Sequence, residues 1–552
     1  MKLTGAKIIM ECLLEQGVDT IFGYPGGQIM PLYDALYDYT EDGRVKHILT
    51  SHEQGATHAA DGYARSIGGV GVCFATSGPG ATNTVTGIAT AYMDSSPLVV
   101  ITGQVPVSSI GRDSFQEVDI IGITLPITKH SFPLRRVEDV AEAVREGFRI
   151  AKSGRPGPVL IDVPKDLFVA ETEYKKATPK PDIEPPAVNK AKIRALADLI
   201  NAAQRPVLYA GGGVNAANAS EELTKLAKKS HIPTGTTLMC LGCFDRNDPL
   251  SLGMIGMHGQ KEANLAVHHS DVLVSIGARF SDRVTGDTAR FAKGAKIAHI
   301  DIDGSELGKN VNPDLTVYGD VKEILTELIP LVKRNKREEW NEKVNGWKRT
   351  ARKTDKFEPA NIIRTIHEVY GDDTIVATDV GQHQMWTAQN WPFRTPRHLI
   401  TSGGLGTMGF GLGAAIGSSI ANPGKRVILI TGDGSFRMNL NELLTVNAQG
   451  LPITVFVMKN STLGMVRQWQ KLFFSRRYSA TDLPDNLDYI ALGQAMGAPA
   501  TIVHTIDGLR EAAASAKGSG RAEIVVCDIP IDENVWPIVP PGDAINNQVT
   551  KE

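Results

Sequence analysis

Long hydrophobic runs are missing from this chain of 552 residues. No stretch approaches the ~20 apolar residues of a membrane-spanning helix, so a helical membrane protein is excluded and no membrane partner is expected. Charge of one sign is missing too: 58 basic residues against 61 acidic ones leave a net charge of −3. Without an overall positive field, nucleic acid is not an expected partner, and small-molecule ligands are. Cysteine is scarce. Cys12, Cys73, Cys240, Cys243 and Cys527 are too few for a disulfide framework and fit a reduced, cytoplasmic protein. Cys240 and Cys243 form a C-L-G-C, but a structural zinc site needs four ligands and no second pair stands at suitable spacing, so buried thiols are expected. The N-terminus, MKLTGAKIIMECLLEQGVD, reads as an amphipathic helix with charges among its apolar positions; it has no uninterrupted apolar core or cleavage signal, and secretion is not expected.

What is abundant points to layered α/β structure. Apolar residues at 42% together with 55 glycines suit a turn-rich folded protein, and the length suits about three domains of roughly 150 residues. Residues 1–175 alternate β-rich runs (HILTS, VGVCFAT, PLVVITG, GPVLIDVP) with helix-length stretches. The Pro-rich, charged KKATPKPDIEPPAVNK at 175–190 then reads as a linker. A second unit, 190–340, carries RPVLYAGGG, HIPTGTT, DVLVSIGAR and KIAHIDID as buried parallel strands and ends in a charged helical stretch around 331–356. A third, 360–540, repeats the style with DTIVATDVG, RVILITGDG, PITVFVMKN and AEIVVCDIP. The predicted fold is three doubly wound parallel-sheet domains.

Within the third unit, a strand at 426–430, a helical pattern at 437–448 and a strand at 453–458 make one βαβ crossover. Such crossovers are right-handed and parallel, so Asp433 and Asn460, at the carboxyl ends of the two strands, fall on the same sheet edge. A carboxylate and an amide oxygen there suit one Mg²⁺, which takes few side chains and fills its octahedron with phosphate oxygens and water. Gly434 and Ser435 open the intervening helix, whose free N–H groups favour the diphosphate that would carry those oxygens. An Asp that merely caps a helix after a tight turn is the bland alternative.

This spacing resembles the thiamine diphosphate (ThDP) motif, GDG followed about 25 residues later by NN. The pair here is Lys459-Asn460, so Asn460 keeps the ligand position, and the resemblance adds the Thr462 main-chain carbonyl as a further ligand. It also assigns Glu53, in SHEQGATHAADGYAR, as the acid that activates the coenzyme from across a subunit interface, implying a homodimer or homotetramer. Read alone, that stretch is a helix start with Ser51 and Gln54 in a capping-box pattern.

Further stretches make the resemblance narrower and spread it over nearly the whole chain: FGYPGG (22–27), SGPGATN (77–83), GRDSFQE (111–117), ITKH (127–130), GMHG (256–259), RFSDRVTG (279–286), GQHQMW (381–386), GLGTMGFGLGAAIG (404–417) and GMVRQWQ (464–470). The chain is similar to the acetohydroxyacid synthase (acetolactate synthase) catalytic subunits, of the ThDP-dependent pyruvate oxidase/decarboxylase type. That resemblance implies decarboxylation of pyruvate and transfer of the two-carbon unit to pyruvate or 2-ketobutyrate, in branched-chain amino acid biosynthesis. It implies that Gln382 and His383 contact the diphosphate, that Gly26 and Gln116 line the reacting centre, that Met408 wedges the coenzyme, and that Met465 and Val466 face it. Trp469 is implied as the specificity residue and Lys129 as an entrance lysine attracting carboxylates. In the middle unit it implies FAD, held around Gly211, Gly212, Gly213, Met257, His258, Arg279, Arg283, Asp301 and Asp303; Ser281 stands where the family usually has Asp. A separate ACT-type regulatory subunit is a further implied partner. A pyruvate oxidase-like flavoenzyme, a flavin-free catabolic acetolactate synthase and an inactive ThDP-fold nucleotide-binding homologue are the alternatives.

Overall fold

The computed structural model describes residues 1–348 and 354–550. Three six-stranded sheets, each wholly parallel, organise the chain. In spatial order the first runs Lys46–Leu49, Thr20–Tyr24, Gly71–Ala75, Leu98–Gln104, Pro158–Pro164 and His130–Pro133. The third runs Leu399–Ile400, Ile375–Thr378, Val427–Gly432, Thr454–Lys459, Glu523–Asp528 and Ala500–Val503. Counted within each sheet, both orders are 2-1-3-4-6-5. The middle sheet runs Ser251–Met254, Thr234–Thr236, Pro206–Ala210, Val272–Ile276, Lys296–Asp301 and Leu315–Tyr318, the 3-2-1-4-5-6 order of dinucleotide-binding folds. Residues 174–189 carry neither helix nor strand.

Central strands such as Leu98–Gln104 and Val272–Ile276 are buried along their whole length, because helices cover both faces of a parallel sheet; this is why they read as unbroken apolar runs. Among the strands that the sequence did not announce, His130–Pro133, Leu315–Tyr318 and Ala500–Val503 lie at sheet edges and are partly exposed, so their apolar signal is weak, while Thr20–Tyr24, Ser251–Met254 and Leu399–Ile400 are short runs. The N-terminal stretch divides into a strand, Lys2–Thr4, paired antiparallel to Glu171–Glu173, and a helix, Gly5–Glu15. Of the charged stretch at 331–356, Glu338–Trp347 is helical, and residues 349–353 lie outside those described. All five cysteines are free and buried, and burial pushes the Cys240 thiol well up.

The first and third sheets share one core, in which Phe22, Cys73 and Val100 join Ala377, Leu429 and Val455. At its centre the helices Glu53–Ile67 and Phe410–Ala421, which follow the second strand of their respective sheets, pack face to face. Small residues set their separation: a Cβ on Gly417 would stand 1.8 Å from the Ala59 carbonyl oxygen, and one on Gly62 2.3 Å from that of Ala414. Fully buried Phe410 contributes about 1.5–3 kcal/mol to this seam. Over its ring, at 5.1 Å, lies the Arg65 guanidinium, which donates twice to Asp61 at 2.7 Å and once to Asp94 at 2.9 Å. Asp94 in turn accepts from the amides of Gly403 and Gly404. The buried charges are therefore paired, and they fix the 403–404 loop to the first domain.

Candidate functional site

At the carboxyl edge of the first sheet, Glu53 is the first residue of its helix and is 9% exposed. The capping box expected from Ser51 and Gln54 is not what starts the helix. His52 is the cap, its Nδ1 accepting from the Gln54 amide, while Ser51 turns to the third domain, its amide donating to Glu442 Oε2 and its hydroxyl to the Asn441 carbonyl. A contact some 390 positions away in sequence thus replaced the local one. Glu53 Oε2 accepts from Asn83 Nδ2 at 3.0 Å. Gly80 packs against it, where a Cβ would stand 3.2 Å from Glu53 Oε1 and 2.6 Å from Thr76; a Cβ on Gly26 would stand 2.4 Å from the same Thr76, and Gln116, at φ +60°, backs onto Gly78. Asn83 and Thr76 were not singled out from the sequence, although Asn83 ends the SGPGATN stretch.

The third sheet carries a different set at the equivalent edge. Asp433 directly follows Val427–Gly432 and begins the helix Asp433–Asn439, four residues earlier than the apolar pattern indicated. Its carboxyl is buried, which pushes its pKa up to about 6, and it accepts only from the amides of Gly434 (3.1 Å) and Ser461 (2.8 Å). Asn460 donates to Gln382 Oε1 at 3.2 Å, leaving its own Oδ1 with one long contact, 3.4 Å from the Thr462 amide. The Thr462 hydroxyl is used by the Thr481 carbonyl. Gln382 also donates to Gln468 and to the Glu533 carbonyl. His383 is buried beside Gly432, its Nε2 has no partner, and burial holds its pKa down at about 3, so the ring is neutral. The Ser435 hydroxyl donates to the Val380 carbonyl, and Met408 Cε lies 3.7 Å from the position a Gly434 Cβ would take.

These groups fit a hard cation and an anion. A buried carboxylate and an amide oxygen, both short of partners, converge on a loop that a Cβ on Gly432 or Gly434 would fill, next to an orphaned imidazole nitrogen. Among the described residues no three His, Cys, Asp or Glu are arranged to hold a metal ion by themselves, and this set, with its single carboxylate, is not of that kind.

Between the domains opens a cavity of about 1350 Å³ lined by Gly211, Gly212, Gly213, Met257, His258, Arg279, Arg283, Asp301, Met465, Val466 and Trp469. It reaches Val380 and Gly381, beside the Asp433 cluster. The glycine run serves close packing as much as ligand approach: a Cβ on Gly211 would stand 2.3 Å from the Gly277 carbonyl oxygen, and one on Gly213 2.7 Å from Gly277 Cα. The Arg283 guanidinium lies 5.5 Å from the Trp469 ring centroid, joining a cation to an apolar wall. Burial brings His258 down to about 4 and Asp301 up to about 6. The C-terminal segment crosses this region, with Val539 donating to the Met257 carbonyl and Gln548 to that of Gly259.

Lys129 and Asp303 have partners within the chain instead of lining this cavity. Lys129 does not face the cavity; its ammonium donates to the carbonyls of Ile150 and Ser153 at the end of the helix Val140–Lys152, and burial brings its pKa down to about 8. Asp303 is not among the cavity-lining residues: it accepts from Ser305 and pairs with Arg155. Arg155, from the SGRPGP turn, is a charged lining residue that was missed; it pairs with Glu306 at 3.0 Å, and nothing local in the sequence marks it. Neither Glu53, Gly26 nor Gln116 lines the cavity that Met465 and Trp469 share.

Three family models match in succession: the thiamine pyrophosphate enzyme N-terminal TPP-binding domain at residues 3–123, the central domain at 193–328 and the C-terminal TPP-binding domain at 379–529. The chain is 47% identical to the acetolactate synthase large subunit of Parasynechococcus marenigrum, over 98% of this chain and 90% of that one. It is 44% identical to the acetolactate synthase large subunit of Buchnera aphidicola and to the isozyme 1 large subunit of Escherichia coli, over 99% of this chain and 98% of theirs in each case. With its Asp433–Asn460 edge and three matched domains in the same order, the chain belongs to the acetolactate synthase large-subunit family of thiamine pyrophosphate enzymes.

Proposed function

We propose that this protein is an acetolactate synthase that condenses two 2-keto acids for branched-chain amino acid synthesis: pyruvate is decarboxylated and its two-carbon unit passes to a second pyruvate or to 2-ketobutyrate. The observation that carries this reading is the partner-poor cluster of Asp433, Asn460 and His383 beside a cavity whose wall pairs Trp469 with Arg283. Asp433 and Asn460, with the Thr462 carbonyl, would hold Mg²⁺, while Gln382, His383, Gly434 and Ser435 would hold a diphosphate. Bound there, thiamine diphosphate would supply the electron sink that lets a 2-keto acid lose CO₂. Met408, Met465 and Val466 would fix its shape and exclude water, which would otherwise quench the transferred unit. FAD in the middle cavity, against Gly212, Met257, His258, Arg279 and Asp301, would be structural, since the reaction involves no net redox change.

Glu53 would hold the proton exchanged with the coenzyme ring. Asn83 occupies its Oε2 and leaves Oε1 available. Because Glu53, Gly26 and Gln116 do not line their own chain's cavity, they fit a homodimer in which each chain's Glu53 would serve the partner's metal cluster. Arg283 would attract the substrate carboxylate, and Trp469 would fill the acceptor pocket so that one extra methyl is favoured, a preference worth ~1–3 kcal/mol. The same reading includes a cytoplasmic location and an ACT-type regulatory partner; among the described residues no helix is long and apolar enough to cross a membrane. The test is acetolactate formation from pyruvate with ThDP, Mg²⁺ and FAD omitted in turn. Loss of product without ThDP or Mg²⁺ is expected; flavin reduction by pyruvate in place of acetolactate would make the protein an oxidase.

A further inference from the structure

Lys459 stands where the sequence motif has asparagine, and the fold gives it something an asparagine lacks the reach and charge to do. It ends the strand Thr454–Lys459, one residue before Asn460, opposite Asp528 at the end of the neighbouring strand. Its Nζ lies 3.2 Å from Asp528 Oδ1 and 3.2 Å from Asp485 Oδ1. Asp485 belongs to no strand: it closes a segment, Ser479–Asp485, that runs back along the metal loop. Thr481 accepts from the Leu463 amide (2.8 Å) and the Thr462 hydroxyl (2.9 Å), and the Leu483 amide donates to the Ser461 carbonyl (2.9 Å). Leu483 Cδ1 reaches within 3.5 Å of where a Gly434 Cβ would stand, so the segment also covers the Gly434 turn. Other attachments hold it to the preceding helix, Gly464–Phe473, through Asp482 to Arg467 and Ser479 to Gln470, and its far end to Arg437 through the Pro484 carbonyl.

We propose that Lys459 is a positioning residue: its ammonium latches the segment Ser479–Asp485 to the carboxyl edge of the third sheet and so holds the loop Asn460–Thr462 in its ligand-ready shape. The inference rests on the metal–diphosphate reading of that loop. Ser461 is at φ +53°, a conformation disfavoured for a residue with a side chain, so the loop needs outside support of this kind. One strand-end cation between two carboxylates from different elements gives it, and a hydrogen bond from the same position to one carboxylate would leave the other loose.

The test uses hydrogen exchange on the cofactor-free full chain and calorimetric ThDP binding with Mg²⁺, for wild type, Lys459→Met, Lys459→Arg and Asp485→Asn. In Lys459→Met and Asp485→Asn, exchange across 461–463 and 479–485 is expected to rise roughly fivefold, the effect of one lost ion pair on local opening. Mg²⁺-dependent ThDP affinity falls by a similar factor, and Lys459→Arg restores both. Wild-type exchange in both charge-removing variants, or faster exchange with unchanged ThDP affinity, overturns the proposal. Asp485 is largely exposed, so Asp485→Asn decides the matter if Lys459→Met does not fold. Wild-type protein that binds no ThDP with Mg²⁺ would instead overturn the functional reading, while the exchange measurement still decides the latch.

Discussion

The first and third domains have the same strand order and opposite chemical equipment. After the second strand of the first sheet comes Glu53; after the second strand of the third comes the Met408–Gly409 turn. After the third strands come Thr76–Gly80 in one and Gly432-Asp433-Gly434 in the other. On the proposed reading the equivalent edges would serve as an acid in one domain and an anion-and-metal cradle in the other, and the seam of Gly62, Gly413 and Gly417 holds the two domains together within one chain. The comparison teaches that the layer order places an edge, and that a few residues after each strand decide what the edge can do. It also bears on the proposed homodimer: the helices that follow the second strands are packed against each other, so on that reading each edge would be completed by a second copy.

The comparison breaks most decisively at Asp433. Asp433→Ala is expected to abolish Mg²⁺-dependent ThDP retention by calorimetry with the fold unchanged by circular dichroism; retained binding would mean that the third edge is not the cradle. Glu53→Gln is expected to lower turnover by about 10²-fold or more while leaving ThDP affinity near wild type, since a lost acid/base group affects the reaction and not the anchoring. A parallel loss of binding in both variants would erase the distinction between the edges. Next comes the seam. Gly417→Ala would drive a Cβ into the Ala59 carbonyl, and overpacking of this kind costs ~1–3 kcal/mol, to be read as a lower midpoint in urea unfolding.

Acidification sharpens the contrast further. Burial raises Asp433 to about 6, and only its carboxylate form ligates a cation, so Mg²⁺ affinity should be full well above pH 6 and weaken as pH falls through that value, with proton release on binding. A pH-independent Mg²⁺ titration between pH 5 and 8 would contradict this. The smallest effect is expected at Trp469→Leu, which should reduce the preference for 2-ketobutyrate over pyruvate by a factor of roughly ten in a competition assay. An unaltered product ratio would move the acceptor pocket elsewhere.

Much of the third edge was legible because its polar residues sit at strand ends fixed by local pattern: Asp433 and Asn460 are brought to one loop as the crossover rule required. Central strands were legible for the same reason, their burial on both faces leaving continuous apolar runs. The partners of Lys129 were not legible because a lysine's sequence surroundings do not tell which helix end it reaches; it donates to two carbonyls at residues 150 and 153. Nor was the partner of Asp303, because adjacent strand-end acids look alike until Arg155, from another domain, pairs with one of them. The Ser51 cap was lost to Glu442 by the same kind of long-range competition.

By itself, then, the sequence determined three parallel α/β layers and the edge on which a carboxylate and an amide meet, since side-chain period and strand-end position are local properties of the chain. Only the tertiary structure decided which charged side chains face ligand and which face carbonyls or one another, because a long ammonium or guanidinium goes to whichever oxygens the packing of distant helices brings within its reach.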